Sequence, residues 1–312
     1  MTRLNQGLTP ALAAIYLFLS IAVGTRPAFA ANNDAAAPDP SSSQVVHNAG
    51  TAHAFLWRVE GPTPSWLFGT IHSDDPKVAT LPTAVLSALD TSRSFHPEVE
   101  VSADLALTVV AKMFQPDTPD LSTRLPSPLW ARVQKTGAAF GLPDELLQRL
   151  TPGFAALLFS APPNTDIAAT VDGQLHDRAV GHGLAVAPLE TVDEQLALFE
   201  KLPDAQAIAA LTDALDEIDH DRPADRRLVA AYATGDETRI LSTVETEFAS
   251  SPATRSLAEP LLYRRNAIMV DRLAPHLRTG GAFVAIGVAH LVGPRSVIAL
   301  LRARGLRVTR VP

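Results

Sequence analysis

The chain of 312 residues has a net charge of −7, contains no cysteine and is 46% hydrophobic. The negative charge argues against a nucleic-acid-binding protein, because an acidic chain has no general attraction for phosphate. Without cysteine, the chain has no disulfide, thiol nucleophile or thiolate ligand, so a metal ion would have to be bound by His, Asp and Glu.

The first 30 residues are typical of a signal peptide. Arg3 supplies a positive charge, Ala11 to Gly24 form a short apolar core, and Ala28 and Ala30 are the small residues that a signal peptidase recognises. We expect cleavage after Ala30 and a periplasmic or secreted protein. Its net charge would be −9, because two arginines and no acidic residue are removed. In the alternative, this segment stays uncleaved and is the chain's one membrane contact, although it is short for a span of about 20 residues.

The remaining sequence predicts one folded domain. Residues 31–50 are small, polar and contain proline, which is typical of a flexible linker. Residues 51–312 have enough apolar sequence for one large core and show no second linker, so we assign them to a single domain with a helical insertion.

The domain begins with short apolar segments. Residues 54–61 and 65–71, separated by a turn of proline and glycine, predict a β-hairpin. Residues 81–90 predict a helix that has Pro82 in its first turn. Residues 94–102 predict a strand, which Pro97 weakens because proline cannot donate a ladder hydrogen bond.

The rest of the chain alternates long helical regions with short strands. We predict helices over 103–183 and 192–278, strands over 183–190, 282–290 and 306–311, and a helix over 293–305. The last strand, helix and strand predict a βαβ unit with parallel neighbouring strands. The predicted fold is therefore α/β: a modest mixed sheet with an opening hairpin, surrounded by many helices that include a large insertion.

Two distant strands end in the same pattern, Gly-x-x-His. The first pattern ends at His72 and the second at His290. Ligands collect at the carboxyl ends of parallel strands, so the two histidines are candidates for one site. Two His and one carboxylate are a common set of ligands for a divalent metal ion. Glu98 is the candidate carboxylate, and Glu100 is predicted to lie on the same face of its strand. The alternative is that these histidines are capping or core residues.

Other polar residues are candidates for supporting roles. Asp74 and Asp75 follow His72 and are candidates for a second shell or a base. Glu190 lies at a predicted strand end, while Thr191 and Glu194 have the spacing of a capping box. A further candidate is Arg265, either as a clamp for a carboxylate of the substrate or of a catalytic Glu, or as a structural ion pair.

At these residues the sequence resembles the TraB/GumN family, whose animal relatives include the TIKI proteases. The similar blocks are the hairpin with the first Gly-x-x-His, the acidic Glu98-Val99-Glu100, residues 189–203, the Arg265-Asn266 pair, and "AIGVAHLVG". They occur in the same order from Leu56 to Val311. The chain departs from the family pattern at His96-Pro97, where aliphatic residues are usual, and in "GVAH", where "GAGH" is commoner.

The resemblance implies a metal-dependent hydrolase fold related to erythromycin esterases and to a haem-binding bacterial protein. It implies that His72, Glu98 and His290 are the shared metal-binding and catalytic residues. We expect a divalent ion, with Mn, Co and Zn as the candidates. We assign Glu98, Glu100, Glu190 and Arg265 to catalysis, with Glu100 or Glu190 as proton acceptor and Arg265 as an orienting group.

The resulting hypothesis is an exported, metal-dependent hydrolase that resembles peptidases and acts on a peptide or a small molecule. The alternative is a non-catalytic periplasmic protein of the same fold that sequesters a peptide, haem or another small ligand. Convergence of the three ligands would favour the hydrolase, and a Pro97 that turned Glu98 away would favour the binding protein.

Overall fold

A computed structural model describes residues 54–99, 109, 112–114, 118–160, 166–220, 224–249 and 251–312. The predicted signal peptide, the predicted linker and Glu100 lie outside these residues. The described residues contain a six-stranded mixed sheet of order β4-β3-β5-β2-β1-β6. Its strands are β1 (Leu56–Val59), β2 (Ser65–Thr70), β3 (Ser94–Pro97), β4 (Ala185–Val186), β5 (Ala282–Gly287) and β6 (Val308–Arg310).

Helices account for most of the described chain, which confirms the predicted α/β fold of a modest sheet surrounded by many helices. In chain order they are α1 (Pro76–Ala79), α2 (Thr83–Asp90), α3 (Leu121–Arg124), α4 (Ser127–Ala139), α5 (Asp144–Leu147), α6 (Pro152–Ser160), α7 (Val171–Gly181), α8 (Val192–Glu200), α9 (Asp204–Asp219), α10 (Ala224–Tyr232), α11 (Glu237–Ala249), α12 (Pro252–Ala258), α13 (Arg264–Thr279) and α14 (Val297–Ala303). Short 3₁₀ turns cover Ile167–Ala169 and Val288–His290, and a π-helical turn covers Glu259–Tyr263.

The predicted hairpin is confirmed. β1 and β2 pair antiparallel, with Leu56 opposite Phe68 and Val59 opposite Ser65. Alternating side chains of the sheet are buried on opposite faces, and both faces are covered. Phe68 and Phe283 lie in a core with α2 and α7, whereas Leu67 and Val284 lie in a larger core formed with the other helices. The helices between β3 and β5 form the predicted insertion.

The prediction of parallel neighbours at the C-terminus is right for β5, which lies between the parallel strands β2 and β3, and wrong for β6. β6 does not pair with β5 but pairs antiparallel with β1 at the edge of the sheet, where Val59 lies opposite Val308. β2 already occupies the side of β5 at which a crossover strand would add, and β3 occupies the other side. The chain after α14 instead pairs at the sheet edge that β1 of the hairpin leaves open.

The parallel strands determine where a site can form. β2, β5, β3 and β4 run in one direction, so their carboxyl ends lie at one edge of the sheet. His72, His290, Glu98 and Glu190 follow these four ends. None of the helices in the described part of the chain is long and apolar enough to cross a membrane.

Candidate functional site

Pro97 does not turn Glu98 away from the sheet edge. The Glu98 N–H donates to the Ala285 carbonyl at 2.8 Å, so the ladder with β5 continues beyond the end of β3. Towards β4, the N–H of Leu189 donates to the Pro97 carbonyl at 2.9 Å. The ladder bond that Pro97 cannot donate would reach the Ala187 carbonyl, and there the His96 side chain substitutes: its Nδ1 lies 2.9 Å from that oxygen. His96 and Pro97 are therefore a compensated pair.

Arg265 connects two buried carboxylates. Its Nη2 donates to Glu98 Oε1 at 2.6 Å, and its Nε donates to Glu190 Oε1 at 2.9 Å and Oε2 at 3.1 Å. Nη2 also donates to Glu190 Oε2. All three residues are nearly inaccessible to solvent. The bidentate geometry orients both carboxylates and leaves one net negative charge among the three groups.

The π-helical turn before α13 helps to position Arg265. The Nη1 atom of Arg265 donates to the Leu261 carbonyl in that turn at 3.1 Å. Such turns occur frequently at functional sites, because they change the direction in which the following side chains project. The resemblance drew attention to Arg265, but only the structure shows this contact.

Glu98 also joins the second Gly-x-x-His motif. Its Oε2 accepts the Gly287 N–H at 2.9 Å and lies 3.9 Å from His290 Nε2. Burial favours the neutral carboxyl, but Arg265, His290, His72 and the Gly287 N–H outweigh it and lower the pKa of Glu98 to about 2. Glu98 is therefore ionised at neutral pH.

The protonation of His290 can be derived from its neighbours. The Nδ2 of Asn266 donates to the Arg295 carbonyl at 2.9 Å, so its Oδ1 faces His290 Nδ1, 2.5 Å away. An amide oxygen only accepts, so the His290 proton is on Nδ1 and its lone pair is on Nε2. Burial lowers the pKa of His290 to about 3, assisted by Arg265 and His72 and opposed by Glu98.

His72 has a different partner. Its Nδ1 lies 2.9 Å from Oδ2 of Asp172, and the two side chains are 12% and 13% exposed. The carboxylate holds a proton on Nδ1 and so presents Nε2 as the basic nitrogen. Asp172 lies in the first turn of α7, where a helix N-terminus stabilises negative charge. Sequence reasoning missed this residue, because a separation of 100 positions from His72 gives no signal.

The first motif also needs its glycine. A Cβ atom at Gly69 would lie 3.0 Å from Cγ2 of Val288 and 3.1 Å from Cβ of Phe55. The Gly69 carbonyl accepts a hydrogen bond from the Tyr232 hydroxyl at 2.7 Å. Close approach between the two strand ends, rather than an unusual backbone angle, therefore explains glycine here.

The remaining candidates divide between the site and the scaffold. Glu190 joins the Arg265 cluster, and the predicted capping box of Thr191 and Glu194 is confirmed at the start of α8. Asp74 accepts the N–H of Asp166, and Asp75 caps α1. These two aspartates therefore have structural contacts.

The donor chemistry fits a divalent metal ion. Metal-binding histidines commonly donate their second ring N–H to an oxygen acceptor, as His72 and His290 do here. The 3.9 Å between His290 Nε2 and Glu98 Oε2 is short enough for one cation with bonds of about 2.0–2.2 Å to each atom. The described residues nevertheless contain no group of three His, Asp or Glu side chains arranged to hold a metal ion.

Comparison with known proteins places these residues in a family. The sequence model of the TraB/PrgY/gumN family matches residues 55–310. A "Metalloprotease TIKI homolog" from Amphimedon queenslandica is 26% identical, and the match covers 88% of this chain and 64% of that protein. "Metalloprotease TIKI2" from Danio rerio is 24% identical over 83% of this chain and 61% of that protein.

The chain spans less than two thirds of the length of these relatives. No solved structure matches the chain. The family match covers both Gly-x-x-His motifs, Glu98, Glu190 and Arg265 in one continuous range. On this basis, the chain belongs to the TraB/PrgY/gumN family.

Proposed function

We propose that the protein is an exported, metal-dependent hydrolase that cleaves peptide bonds at the carboxyl edge of its sheet. One observation carries the proposal: both motif histidines have Nδ1 held by an oxygen acceptor, so each presents Nε2 as a basic nitrogen. Glu98 lies beside one of them as an ionised carboxylate. His72, Glu98 and His290 would be the ligands, and the metalloprotease names of the relatives support peptide bonds as the substrate.

The charge of the cluster supports a bound cation. Arg265 is one positive charge in contact with two buried carboxylates, and His290 is neutral. Buried charge is stable only when it is paired or bound to metal. A divalent ion would balance the excess negative charge and would supply Lewis-acid polarisation of the scissile carbonyl and activation of the attacking water.

In the proposed reaction, water adds to the carbonyl carbon, the C–N bond breaks, and a proton moves to the leaving amine nitrogen. Glu190 is the described carboxylate that we propose as proton acceptor, while the other candidate, Glu100, lies outside the described residues. Arg265 would hold Glu98 and Glu190 in fixed orientations during these steps. Asp172 would keep the His72 proton on Nδ1.

Export is part of the proposal and depends on the first 30 residues. Their charged start, apolar core and small residues before Ala31 are the features of a signal peptide. N-terminal sequencing of the protein secreted or released from the periplasm would test cleavage after Ala30. A protein recovered from the cytoplasm with Met1 in place would contradict it.

A second function, a binding protein without catalysis, is favoured by a different observation. Arg265 donates to Glu98 Oε1 and lies 3.3 Å from His290 Nε2, so a guanidinium already neutralises one proposed ligand and contacts the nitrogen of another. In that case the cluster is a structural ion pair, and the ligand binds elsewhere or displaces it.

Metal content separates the two functions. Wild type, His72→Ala, His290→Ala and a His220→Ala control would be purified, loaded with manganese, cobalt or zinc, and measured by elemental analysis. His220 lies on the surface at the end of α9 and controls for weak binding by exposed histidines. We expect about one metal ion per chain in the wild type and the control, and loss of metal in both site variants.

Hydrolysis is then tested with a mixture of unmodified synthetic peptides and mass spectrometry, comparing the loaded wild type with Glu98→Gln. Cleavage by the wild type alone would support the hydrolase. Full metal content in both histidine variants would show that the proposed ligands are wrong, and a protein that never binds metal would favour the binding function.

A further inference from the structure

Gln195 contacts both carboxylates of the Arg265 cluster, those of Glu98 and Glu190. It lies in the second turn of α8, where the capping box at Thr191 fixes the start of the helix. Its Nε2 is 3.3 Å from Glu98 Oε1 and 3.2 Å from Glu190 Oε2. The residue is 2% exposed. Gln195 therefore belongs to the buried carboxylate cluster and not to the solvated surface of the helix.

The orientation of this amide follows from its neighbours. Ionised carboxylates only accept hydrogen bonds, so the NH₂ group must face Glu98 and Glu190. The opposite orientation would place a third acceptor oxygen against two others. The Gln195 Oε1 atom therefore points away from both carboxylates, and it is buried without a hydrogen-bond partner among the residues that the structure describes.

A second buried polar atom, Oγ1 of Thr70, also lacks a hydrogen-bond partner among the described residues. Thr70 lies two positions before His72 and opposite Gly287, the residue whose N–H binds Glu98. Most buried polar groups in proteins are paired, and an unpaired one destabilises the fold. The unpaired Gln195 oxygen beside the two carboxylates points to a ligand that carries a hydrogen-bond donor.

We propose that Gln195 Oε1 accepts a hydrogen bond from the N–H of the scissile amide, and that this contact makes the site select amides over esters. The proposal rests on the hydrolase function proposed above. A carbonyl oxygen cannot donate, so the group that pairs with it must carry a hydrogen. A secondary amide presents N–H next to the scissile carbonyl, whereas an ester presents an oxygen atom that has no hydrogen.

Both substrates would be hydrolysed with the same balance of atoms. Water adds to the carbonyl carbon and either the C–N or the C–O bond breaks, which gives a carboxylic acid together with an amine or an alcohol. The two reactions differ at the atom that Gln195 would contact. Sites that bind a substrate N–H discriminate strongly against analogues without it, because the acceptor is left unpaired.

The experiment uses the full chain and one matched pair of substrates. A bond cleaved in the mixture of synthetic peptides is identified by mass spectrometry, and the same peptide is prepared with an ester at that bond. kcat/KM is measured for both substrates with wild type, Gln195→Lys, Gln195→Met and Gln206→Lys. Lys at 195 keeps a donor for the two carboxylates but has no acceptor, Met has neither, and Gln206 on α9 controls for the added charge.

We expect the amide-to-ester ratio of kcat/KM to fall about tenfold or more in both Gln195 variants and to stay at the wild-type value in Gln206→Lys. A ratio that falls with Met but not with Lys would assign the effect to the donor side of the amide and would overturn the proposal. An unchanged ratio in both variants would overturn it as well.

Wild-type protein gives an additional measurement that does not depend on the folding of a variant. The ratio of ester to amide hydrolysis by the enzyme is divided by the same ratio for the uncatalysed reactions in buffer. A normalised value of one or more overturns the role of Gln195 and leaves the hydrolase intact. A wild type that cleaves neither substrate overturns both proposals.

Discussion

The two Gly-x-x-His motifs place the same side chain in different surroundings. His72 is 12% exposed and pairs with a carboxylate, Asp172, on α7, which packs in the smaller core with α2. His290 is 0% exposed, pairs with a neutral amide, Asn266, and lies beside Arg265. A motif can thus fix where a strand ends, but residues from other elements decide the charge and exposure of the histidine.

The difference extends to the rest of the site. The His290 half contains the buried Arg265, Glu98 and Glu190 network, which has little access to water. The His72 half contains the partly exposed His72–Asp172 pair at the rim. We therefore expect changes in the His290 half to affect the stability of the whole fold, and changes in the His72 half to act locally.

The largest effect is expected for Arg265→Met. The change leaves Glu98 and Glu190 buried without their shared cation, and breaking a buried pair in this way costs about 3–5 kcal/mol. Urea unfolding would measure the loss in the free energy of unfolding. Arg272→Met is the control on the same helix: its pair with Glu194 is well exposed, so we expect a loss of about 1 kcal/mol or less. Equal losses in the two variants would contradict the comparison.

Removal of each histidine tests the two halves directly. His290→Ala leaves the Asn266 oxygen unpaired in the core and opens a cavity, so we expect a loss of about 2–4 kcal/mol. His72→Ala removes a partly exposed pair, so we expect about 1 kcal/mol. Both losses would be measured by urea unfolding of metal-free protein. A larger loss for His72→Ala would reverse the predicted order.

The pH dependence of stability should separate the buried histidine from other groups. In the folded protein burial holds the pKa of His290 near 3, below its ordinary value of 6.5. As pH falls below 6.5, protons bind to this histidine in the unfolded chain first, so stability present above pH 6.5 is lost towards pH 3. His96 contributes in the same direction, because burial and His276 lower its pKa to about 4.

The difference between wild type and His290→Gln isolates the contribution of His290. We expect wild type to lose about 1–2 kcal/mol more than the variant between pH 6.5 and 4.5, when both are metal-free. Glu98, whose pKa is held at about 2, stabilises the fold above pH 4.5 and loses this contribution only at lower pH. The free energy of unfolding would be measured by urea unfolding at each pH for both proteins. If it fell equally in wild type and His290→Gln from pH 6.5 to 4.5, the result would contradict the derived neutral state of His290.

The smallest effect is expected for Asp172→Asn. The introduced amide retains a hydrogen-bonding group beside His72, so we expect a loss in stability of about 0.5–1 kcal/mol. The amide is able to donate to Nδ1, and the proton of His72 would then shift towards Nε2. Long-range ¹H–¹⁵N NMR of labelled histidine would detect this shift. The His290 signals should remain unchanged, and a change at His290 alone would contradict the local role of Asp172.

The sequence could predict much of the sheet because its information is local. Apolar runs between Pro/Gly turns indicated the hairpin, and the spacing of Thr191 and Glu194 indicated a capping box. The same reasoning failed for β6, since pairing depends on which sheet edge the earlier strands leave open. It also overestimated how much Pro97 disrupts the strand before Glu98, because no sequence pattern shows that the His96 ring replaces the missing ladder donor.

By itself, the sequence determined which segments form the parallel strands and which residue types follow them: His72, Glu98, Glu190 and His290. It placed the ends of β3, β4 and β5 three to five residues too late. Apolar runs and side-chain alternation are local properties, so they can be read from neighbouring residues, but the length over which a strand is paired depends on its partner strands. Only the tertiary structure decided that Arg265 joins two carboxylates and that Asp172 and Asn266 give the two histidines different surroundings. It also decided that the Gln195 carbonyl has no partner among the residues that the structure describes. These properties depend on distances between side chains from separate elements, and such distances are fixed only when the helices pack onto the sheet.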